Sequence, residues 1–211
     1  MRTLSTTLIL GTSLLLSSSL ANAGSRGFKS AIKSVPNSSI RLDVALSEDL
    51  ASRANAFPHG GSTCSITRSN RSNGFACDGH LGQRDLDGLI KKIEKQTARS
   101  LAKKDITVTD DAGLTLKLTL VDAKNNRPTQ SQIGQQVTLS FQSIRLGGAE
   151  FEGELFAADG TSLGKMSYSY YEDFLDDFSS GNGTWTDANR AIQLFSKKIA
   201  KDFAKHRKID S

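Results

Sequence analysis

The sequence predicts an α+β domain, built as an antiparallel four- to five-stranded sheet with two helices packed on one face. Several short segments alternate apolar and polar residues, which is typical of half-buried strands. Two longer segments, before and after the main run of strands, repeat apolar residues at helical spacing along a single face. Because each helix has only one apolar face, both are expected to lie across the apolar side of one sheet.

The first 23 residues have the three parts of a secretory signal peptide. Arg2 gives a positive start, residues 8–16 form a short apolar centre, and Ala21-Asn22-Ala23 matches a small-residue cleavage site. The centre is short for a membrane span, which needs about 20 apolar residues, although an uncleaved N-terminal anchor is the alternative. No cysteine directly follows Ala23, so a lipid anchor is not predicted. We expect cleavage near Ala23 and a periplasmic or secreted product with no transmembrane segment.

The rest of the chain is predicted to form one domain. Residues 24–38 are rich in Gly, Ser and Lys without a clear period and are predicted to be a flexible lead-in to an α+β domain over 39–208. Residues 24–108 contain 14 Lys and Arg against 8 Asp and Glu. Nucleic-acid binding is not expected, because aromatic residues are sparse in this basic half.

The first half contains one predicted strand, one loop and one helix. Residues 40–46 alternate as a half-buried strand, and residues 54–82, rich in Gly, Ser and Asn, are predicted to be a loop. A helix is predicted to begin near Asp85. Its apolar face consists of Leu86, Leu89, Ile90, Ile93, Thr97 and Leu101. Its other faces are basic, which is typical of a solvated helix surface, although such a helix also suggests binding.

Four antiparallel strands are predicted next. The first contains the alternating leucines from Leu114 to Leu120, and the last two cover residues 151–157 and 161–171. Between them Val137, Leu139 and Phe141 alternate, and the pattern then shifts, which predicts a strand with a bulge near Gln142. Gly147-Gly148 and Asp159-Gly160 are predicted hairpin turns.

The chain is predicted to end in a second helix. Thr184-Trp185-Thr186-Asp187 resembles a capping box, and the helix should end near His206. Its buried stripe is predicted to be Ala188, Ile192, Phe195, Ile199 and Phe203.

The two cysteines predict a disulfide. Cys64 and Cys77 lie in the loop over residues 54–82, and in an oxidising compartment such a pair is expected to be bridged. A metal site is the alternative, because His59 and His80 flank the cysteines and a Cys2His2 set can hold zinc. The spacing does not match a common zinc finger, so we expect the disulfide and no cofactor.

An acidic run follows the predicted strands. Glu172, Asp173, Asp176 and Asp177 form a candidate interaction loop. The run lacks the ligand ladder of a calcium-binding EF-hand loop, and paired carboxylates on one loop are weak support for a glycosidase. No nucleophile elbow, zinc-protease motif or phosphate loop occurs in the sequence, so no catalytic residues are assigned.

Three segments resemble an uncharacterised family of bacterial periplasmic and envelope proteins, often lipoproteins, known only as a domain of unknown function. The segments are residues 147–155 (GGAEFEGEL), residues 158–164 (ADGTSLG) and residues 185–191 (WTDANRA). The resemblance covers about residues 110–206 and implies a strand, a hairpin turn and a C-terminal helix in the Gram-negative periplasm. It implies no catalytic residues. The chain differs from the family in lacking a lipid-attachment cysteine and in having the Cys64–Cys77 loop.

Together these features predict an exported, non-catalytic binding or envelope-assembly accessory protein. Its expected partner is an envelope protein or an anionic envelope polymer. Two alternatives remain open: a secreted hydrolase acting on cell-wall or glycan substrates through the acidic run, and a metal-binding protein using His59, Cys64, Cys77 and His80.

Overall fold

The fold is built on a five-stranded mixed sheet with four helices. The computed structural model describes residues 27–36, 38–56, 75, 78–137, 139–173 and 183–207. The strands are β1 (Gly27–Ser30), β2 (Ile40–Leu46), β3 (Leu114–Lys124), β4 (Gly148–Phe156) and β5 (Ser162–Tyr171). The helices are α1 (Glu48–Ser52), α2 (Gln83–Ala102), α3 (Gln130–Gln135) and α4 (Thr186–His206). The strand order across the sheet is β1-β5-β4-β3-β2.

The prediction of a purely antiparallel sheet is wrong at one edge, where β2 pairs with β3 in parallel. Ile40 lies opposite Leu114 and Leu46 opposite Leu120. The connection between these strands is long and contains α2, which is the kind of crossover that parallel neighbours require. The alternating pattern in β2 shows one buried face but carries no information about the direction of the neighbouring strand.

The other edge of the sheet is a strand that the composition does not indicate. Gly27–Ser30 form β1, which pairs antiparallel with β5, although they lie in the range predicted to be a flexible lead-in. Phe28 lies opposite Tyr168 and packs on Phe195 with ring centroids 6.3 Å apart. Only four residues long, β1 is too short to show a period, so long-range pairing determines its conformation.

The predicted strand with a bulge near Gln142 is wrong. Residues 136–147 contain no strand within the part that the structure describes, and α3 precedes them. Gly147-Gly148 is not a hairpin turn, since Gly148 begins β4 and lies opposite both Lys124 and Tyr171. The sequence alternates like a strand there, but no neighbouring strand pairs with the residues of this segment that the structure describes. By contrast, the turn predicted at Asp159-Gly160 is confirmed, with Gly160 at φ 83° and Ala157 N donating to Thr161 O at 2.9 Å.

Helices α2 and α4 pack side by side and run parallel, as three contacts show. Near their N-termini, Trp185 Nε1 donates to Asp85 Oδ1 at 2.8 Å. In their middle, the buried hydroxyls of Thr97 and Ser196 lie 3.1 Å apart. Just past their C-termini, Arg207 Nη1 donates to Asp105 O at 3.1 Å. The paired residues are 100, 99 and 102 positions apart in sequence, so the two helices stay in register along their length.

The core includes an aromatic contact between α4 and the sheet. Phe195 of α4 stacks on Phe151 and Tyr168, with ring centroids 4.7 and 5.8 Å away. The predicted stripe of α4 is buried at all five positions. In the described part of the chain no helix combines the length and apolar character needed to cross a membrane.

Candidate functional site

The candidate site lies at the end of the molecule where α2 and α4 begin. Between β3 and β4 the chain passes through residues 125–147, which contain α3 and a stretch without strand or helix. Asn126 N donates to Thr184 O at 2.7 Å, just before α4. Gly82, just before α2, lies so close to Ser131 that an added Cβ would be 3.2 Å from the Ser131 Cβ. The connecting segment therefore packs over the N-termini of both long helices.

A reciprocal side-chain pair fixes the segment to α4. Asn126 Nδ2 donates to Asp187 Oδ2, and Asp187 N donates to Asn126 Oδ1 at 2.9 Å. The same Asp187 oxygen accepts from Gly147 N at 2.9 Å. Asp187 does not complete the predicted capping box, because the N-cap residue is Trp185 and its side chain makes no capping hydrogen bond. The carboxylate instead satisfies buried donors of the connecting segment.

A buried arginine fixes the far end of the segment. Arg145 Nε donates to Asn125 O at 2.7 Å, Nη2 donates to Asn125 Oδ1, and Nη1 pairs with Asp78. Its guanidinium also lies over the Phe75 ring, 4.5 Å from the centroid. Burial lowers the pKa of Arg145, whereas the Asp78 carboxylate opposes that shift. Asp78 thus compensates a charge that would otherwise be costly to bury.

Helix α3 ties the same segment to the end of the cysteine-containing loop. Thr129 and Gln132 form a capping box. Gln132 also accepts from Asn125 Nδ2 at 2.7 Å and donates to Gly79 O at 3.1 Å, while Thr129 Oγ1 donates to His80 O at 3.4 Å. His80 is the only member of the alternative zinc set within the described residues. His59, Cys64 and Cys77 lie outside them, so the predicted disulfide and the alternative metal site stay predictions.

A second cluster lies beside this network, near the C-terminal ends of β3 and β5. Asp122 Oδ1 accepts from Arg53 Nη2 at 2.6 Å, and its Oδ2 accepts from Tyr171 Oη at 2.6 Å. Burial would raise the pKa of Asp122, but the Arg53 charge and the two hydrogen bonds outweigh it and lower the pKa. Burial, with the Asp122 charge, raises the pKa of Tyr171. Glu150 lies opposite Asp122, and its pKa is raised by burial and by the charges of Asp122 and Glu152.

The acidic run begins in a third polar contact. Glu172 Oε2 accepts from Tyr170 Oη at 2.5 Å and lies 3.5 Å from Arg190 Nη1 on α4. Asp173 is exposed, while Asp176 and Asp177 lie outside the described residues. The structure therefore attaches the start of the candidate interaction loop to α4 without testing its function.

Three large apolar side chains on the connecting segment face solvent. Val137 is fully exposed, Phe141 is 61% exposed and Ile144 is 51% exposed. They lie just before Arg145, and Arg127 Nη1 donates to Phe141 O at 2.7 Å. Sequence reasoning predicted a strand at these residues and did not predict the Asn125–Arg145 network. The available signal was the pair Asn125-Asn126 directly after a strand, where amide side chains often bond to loop backbone.

The polar groups of this site are engaged with one another. Asp187, Asp122 and Glu172 each accept hydrogen bonds from protein donors. Among the described residues, no three His, Cys, Asp or Glu side chains are grouped closely enough to hold a metal ion. The arrangement is suited to holding a loop in one conformation and presenting its exposed apolar side chains.

No protein-family model and no curated protein sequence matches the chain, so the resemblance to the envelope family rests on its three segments. Among solved structures, a dodecamer of a PelC point variant from Paraburkholderia phytofirmans is 7% identical, with a TM-score of 0.44 over 87% of this chain and 98% of that chain. A minor lipoprotein from Acinetobacter baumannii is 8% identical, with a TM-score of 0.31 over 78% of this chain and 92% of that chain. At these scores neither similarity identifies a family.

Proposed function

We propose that this chain is an exported, non-catalytic binding or envelope-assembly accessory protein that contacts its partner through residues 136–146. The observation behind this proposal is the exposure of Val137, Phe141 and Ile144 on a segment that a buried polar network holds in place. In the isolated protein such a surface is unfavourable, because its apolar groups are in contact with water. Burying each side chain against a partner would contribute about 1 to 2 kcal/mol.

The composition of the segment supports a protein-binding role. No charged residue occurs between Arg127 and Arg145, and the polar residues there are Gln, Ser and Thr. Interface centres are depleted in charge, because a charge buried without a partner is costly. Residues 136–146 combine exposed apolar side chains with neutral hydrogen-bonding groups, which fits the centre of an interface.

The attachment of the segment to the domain at its C-terminal end supports the same role. Arg145 N donates to Asn126 O at 3.0 Å, and Gly147 N donates to Asp187, so its C-terminal end is fixed by buried bonds. A surface that is already ordered loses less conformational entropy on binding. We therefore expect the segment to bind without rearranging the domain.

We also infer that both long helices cover the sheet face that carries Phe151 and Tyr168. The opposite face of the sheet would then present Glu150, Glu152 and Glu154 to solvent. A partner could therefore also reach this face. Export rests on the signal-like residues 1–23, and it places the expected partner in the periplasm or outside the cell.

Site-specific photo-crosslinking in the native host tests the proposal. A benzophenone amino acid would replace Phe141 in one variant and exposed Lys117, on the polar side of β3, in a matched control. We expect a discrete crosslinked protein from position 141 only, identified by mass spectrometry. Adding Val137→Ser and Ile144→Ser should lower its yield at least five-fold. Equal yields from both positions, or no product from position 141, would overturn the proposal.

A further inference from the structure

The opposite end of the helix layer carries two rows of basic side chains. The rows, called here the double ladder, are Lys95, Arg99 and Lys103 on the α2 side and Lys197, Lys201 and Lys205 on α4. All six residues are exposed. Within each row the residues are four positions apart, so each step is about 6 Å along the helix axis.

The parallel packing of α2 and α4 brings the two rows to matching levels. Thr97 lies beside Ser196, and Asp105 lies beside Arg207. Corresponding members of the ladder are 102 positions apart, but the contacts in the middle and at the N-terminal ends of the helices are 99 and 100 positions apart. Axes of packed helices are about 8 to 10 Å apart. At that offset Lys197 lies close to the level of Arg99, and Lys201 lies close to the level of Lys103.

This arrangement is unfavourable for the isolated protein. Like charges four residues apart destabilise a helix by about 0.2 to 0.5 kcal/mol per pair. The ladder contains four such pairs, from Lys95 with Arg99 to Lys201 with Lys205. In the described part of the chain, none of the six residues lies within ion-pair distance of a carboxylate.

The negative ends of the helix dipoles explain only part of the ladder. Cations are stabilised mainly in the last turn of a helix, which accounts for Arg99, Lys103 and Lys205. Lys95, Lys197 and Lys201 lie earlier and gain little from the dipole. The nearby carboxylates do not neutralise the rows either: Asp202 is engaged by Ser30 and His206, and only Glu94 and Asp105 remain close in sequence.

The surroundings of the ladder favour one kind of anionic ligand. The exposed large apolar residues of the described chain, Val137, Phe141 and Ile144, lie near the other ends of the helices. Among the described residues, the ladder thus has no exposed aromatic ring on which a nucleobase could stack and no large exposed apolar side chain that could enter a lipid bilayer. Regularly spaced cations in two rows match a linear polymer with regularly spaced negative groups.

We infer that the double ladder binds a linear acidic polysaccharide through its carboxylate groups. The polymer would lie across the exposed faces of α2 and α4, with successive carboxylates near cations at similar levels, such as Arg99 with Lys197 and Lys103 with Lys201. This site is separate from residues 136–146 and does not depend on the proposed function.

Binding of fluorescent polygalacturonate oligomers to the full-length mature protein tests the inference. The ladder variant combines Arg99→Gln, Lys197→Gln and Lys201→Gln. A matched control removes the same charge from the sheet with Arg41→Gln, Lys117→Gln and Lys165→Gln. We expect the ladder variant to bind at least ten-fold more weakly and the control to stay within about three-fold of the wild type. Wild-type binding should weaken steeply as salt rises.

The outcomes separate this inference from its rivals. Equal losses in both variants would mean attraction by net charge alone, and no wild-type binding would mean no site; either result overturns the inference. Tighter binding to single-stranded DNA or to anionic phospholipid vesicles than to polygalacturonate would overturn the choice of ligand. Circular dichroism should show both variants folded. The ladder variant should keep the crosslink at position 141, which distinguishes failure here from failure of the proposed function.

Discussion

Asp187 satisfies two buried donors at once, Gly147 N and Asn126 Nδ2, and its own amide donates to Asn126 Oδ1. It is therefore the residue that joins the connecting segment to α4. A negatively charged side chain in the first turn of a helix is also stabilised by the positive end of the helix dipole. A side chain at this position can cap its own helix or accept hydrogen bonds from a neighbouring loop. Here the Asp187 carboxylate accepts hydrogen bonds from the connecting segment.

Replacing Asp187 by Ala should destabilise the fold by about 2 to 4 kcal/mol, because two buried donors lose their acceptor. The free energy of unfolding in urea measures the effect. Asp110→Ala, at an exposed position before β3, is the control and should change it by less than about 0.5 kcal/mol. A loss below about 1 kcal/mol for Asp187→Ala would show that the network does not hold the segment.

Asp122 links stability to pH. Its pKa in the folded protein is lowered from the usual 3.8, so the folded state binds its proton less readily than the unfolded state. Its stabilising contribution is therefore complete above the unfolded pKa and is lost as pH falls through the folded pKa. Glu150 has the opposite sign, because its raised pKa makes its ionisation unfavourable for folding.

Asp122→Asn should lower stability at pH 7 by about 2 kcal/mol, because Arg53 loses the less exposed of its two charged partners and keeps only Asp49, while Tyr171 keeps an acceptor. We expect the difference in unfolding free energy between wild type and variant to persist down to about pH 4 and to shrink below it. Urea denaturation at several pH values gives this difference directly. A difference that already disappears between pH 7 and pH 5 would show that Asp122 has no lowered pKa.

At the scale of elements, the edge strand β1 depends on a close approach to β5. A Cβ on Gly164, whose φ is +143°, would lie 2.8 Å from both the Ala31 carbonyl oxygen and the Ile32 Cα. Ala31 N donates to Lys165 O at 2.8 Å, just after β1 ends. A side chain at Gly164 would push this backbone away and would also strain its own conformation.

Gly164→Ala should therefore destabilise the fold by about 2 to 4 kcal/mol. Gly88→Ala is the matched control, since Gly88 lies within α2 with nothing near its added Cβ, and it should stabilise by up to about 1 kcal/mol. Thermal unfolding distinguishes the destabilisation expected for Gly164→Ala from the stabilisation expected for Gly88→Ala. If Gly164→Ala were neutral, β1 would not be packed against β5 as described.

Helices and turns were predicted correctly where the residues of the element itself contain the whole sequence pattern. The apolar faces of α2 and α4 can be read from their own spacing, and the turn at Gly160 follows from its Asp-Gly pair. The prediction of strands failed where pairing with a neighbouring strand determines the conformation. Residues 137–141 alternate in sequence as β3 does, but the described residues of 136–147 form no strand, and β1 is a strand only because β5 lies beside it.

On the scale of the whole molecule, the parallel helices give the domain two different ends. One end combines the N-termini of α2 and α4 with buried Asp187 and Arg145, partly buried Asp78 and an exposed apolar segment. The other end carries the double ladder. The basic pattern of α2 can be read from the sequence, but its match with α4 depends on helix direction and register, which follow from contacts 99 to 102 residues apart.

The predicted signal-peptide cleavage and the predicted disulfide can both be tested by mass spectrometry. Protein purified from the native host should begin at Gly24, and its intact mass should be two hydrogens below that of the reduced chain if Cys64 and Cys77 are bridged. Native mass spectrometry checks both points in one spectrum. A product that begins at Met1 would contradict export, and two free thiols with added zinc mass would support the alternative metal site.

Hydrogen exchange of the Arg145 and Gly147 amides tests the central claim most directly, because these groups donate to Asn126 O and to the Asp187 carboxylate within the network. We predict exchange as slow as that of the amides in the middle of β4, showing that the exposed apolar segment is held by structure that opens only on broad unfolding. Exchange as fast as that of exposed loop amides would show a mobile segment and would contradict the account of a preformed binding surface.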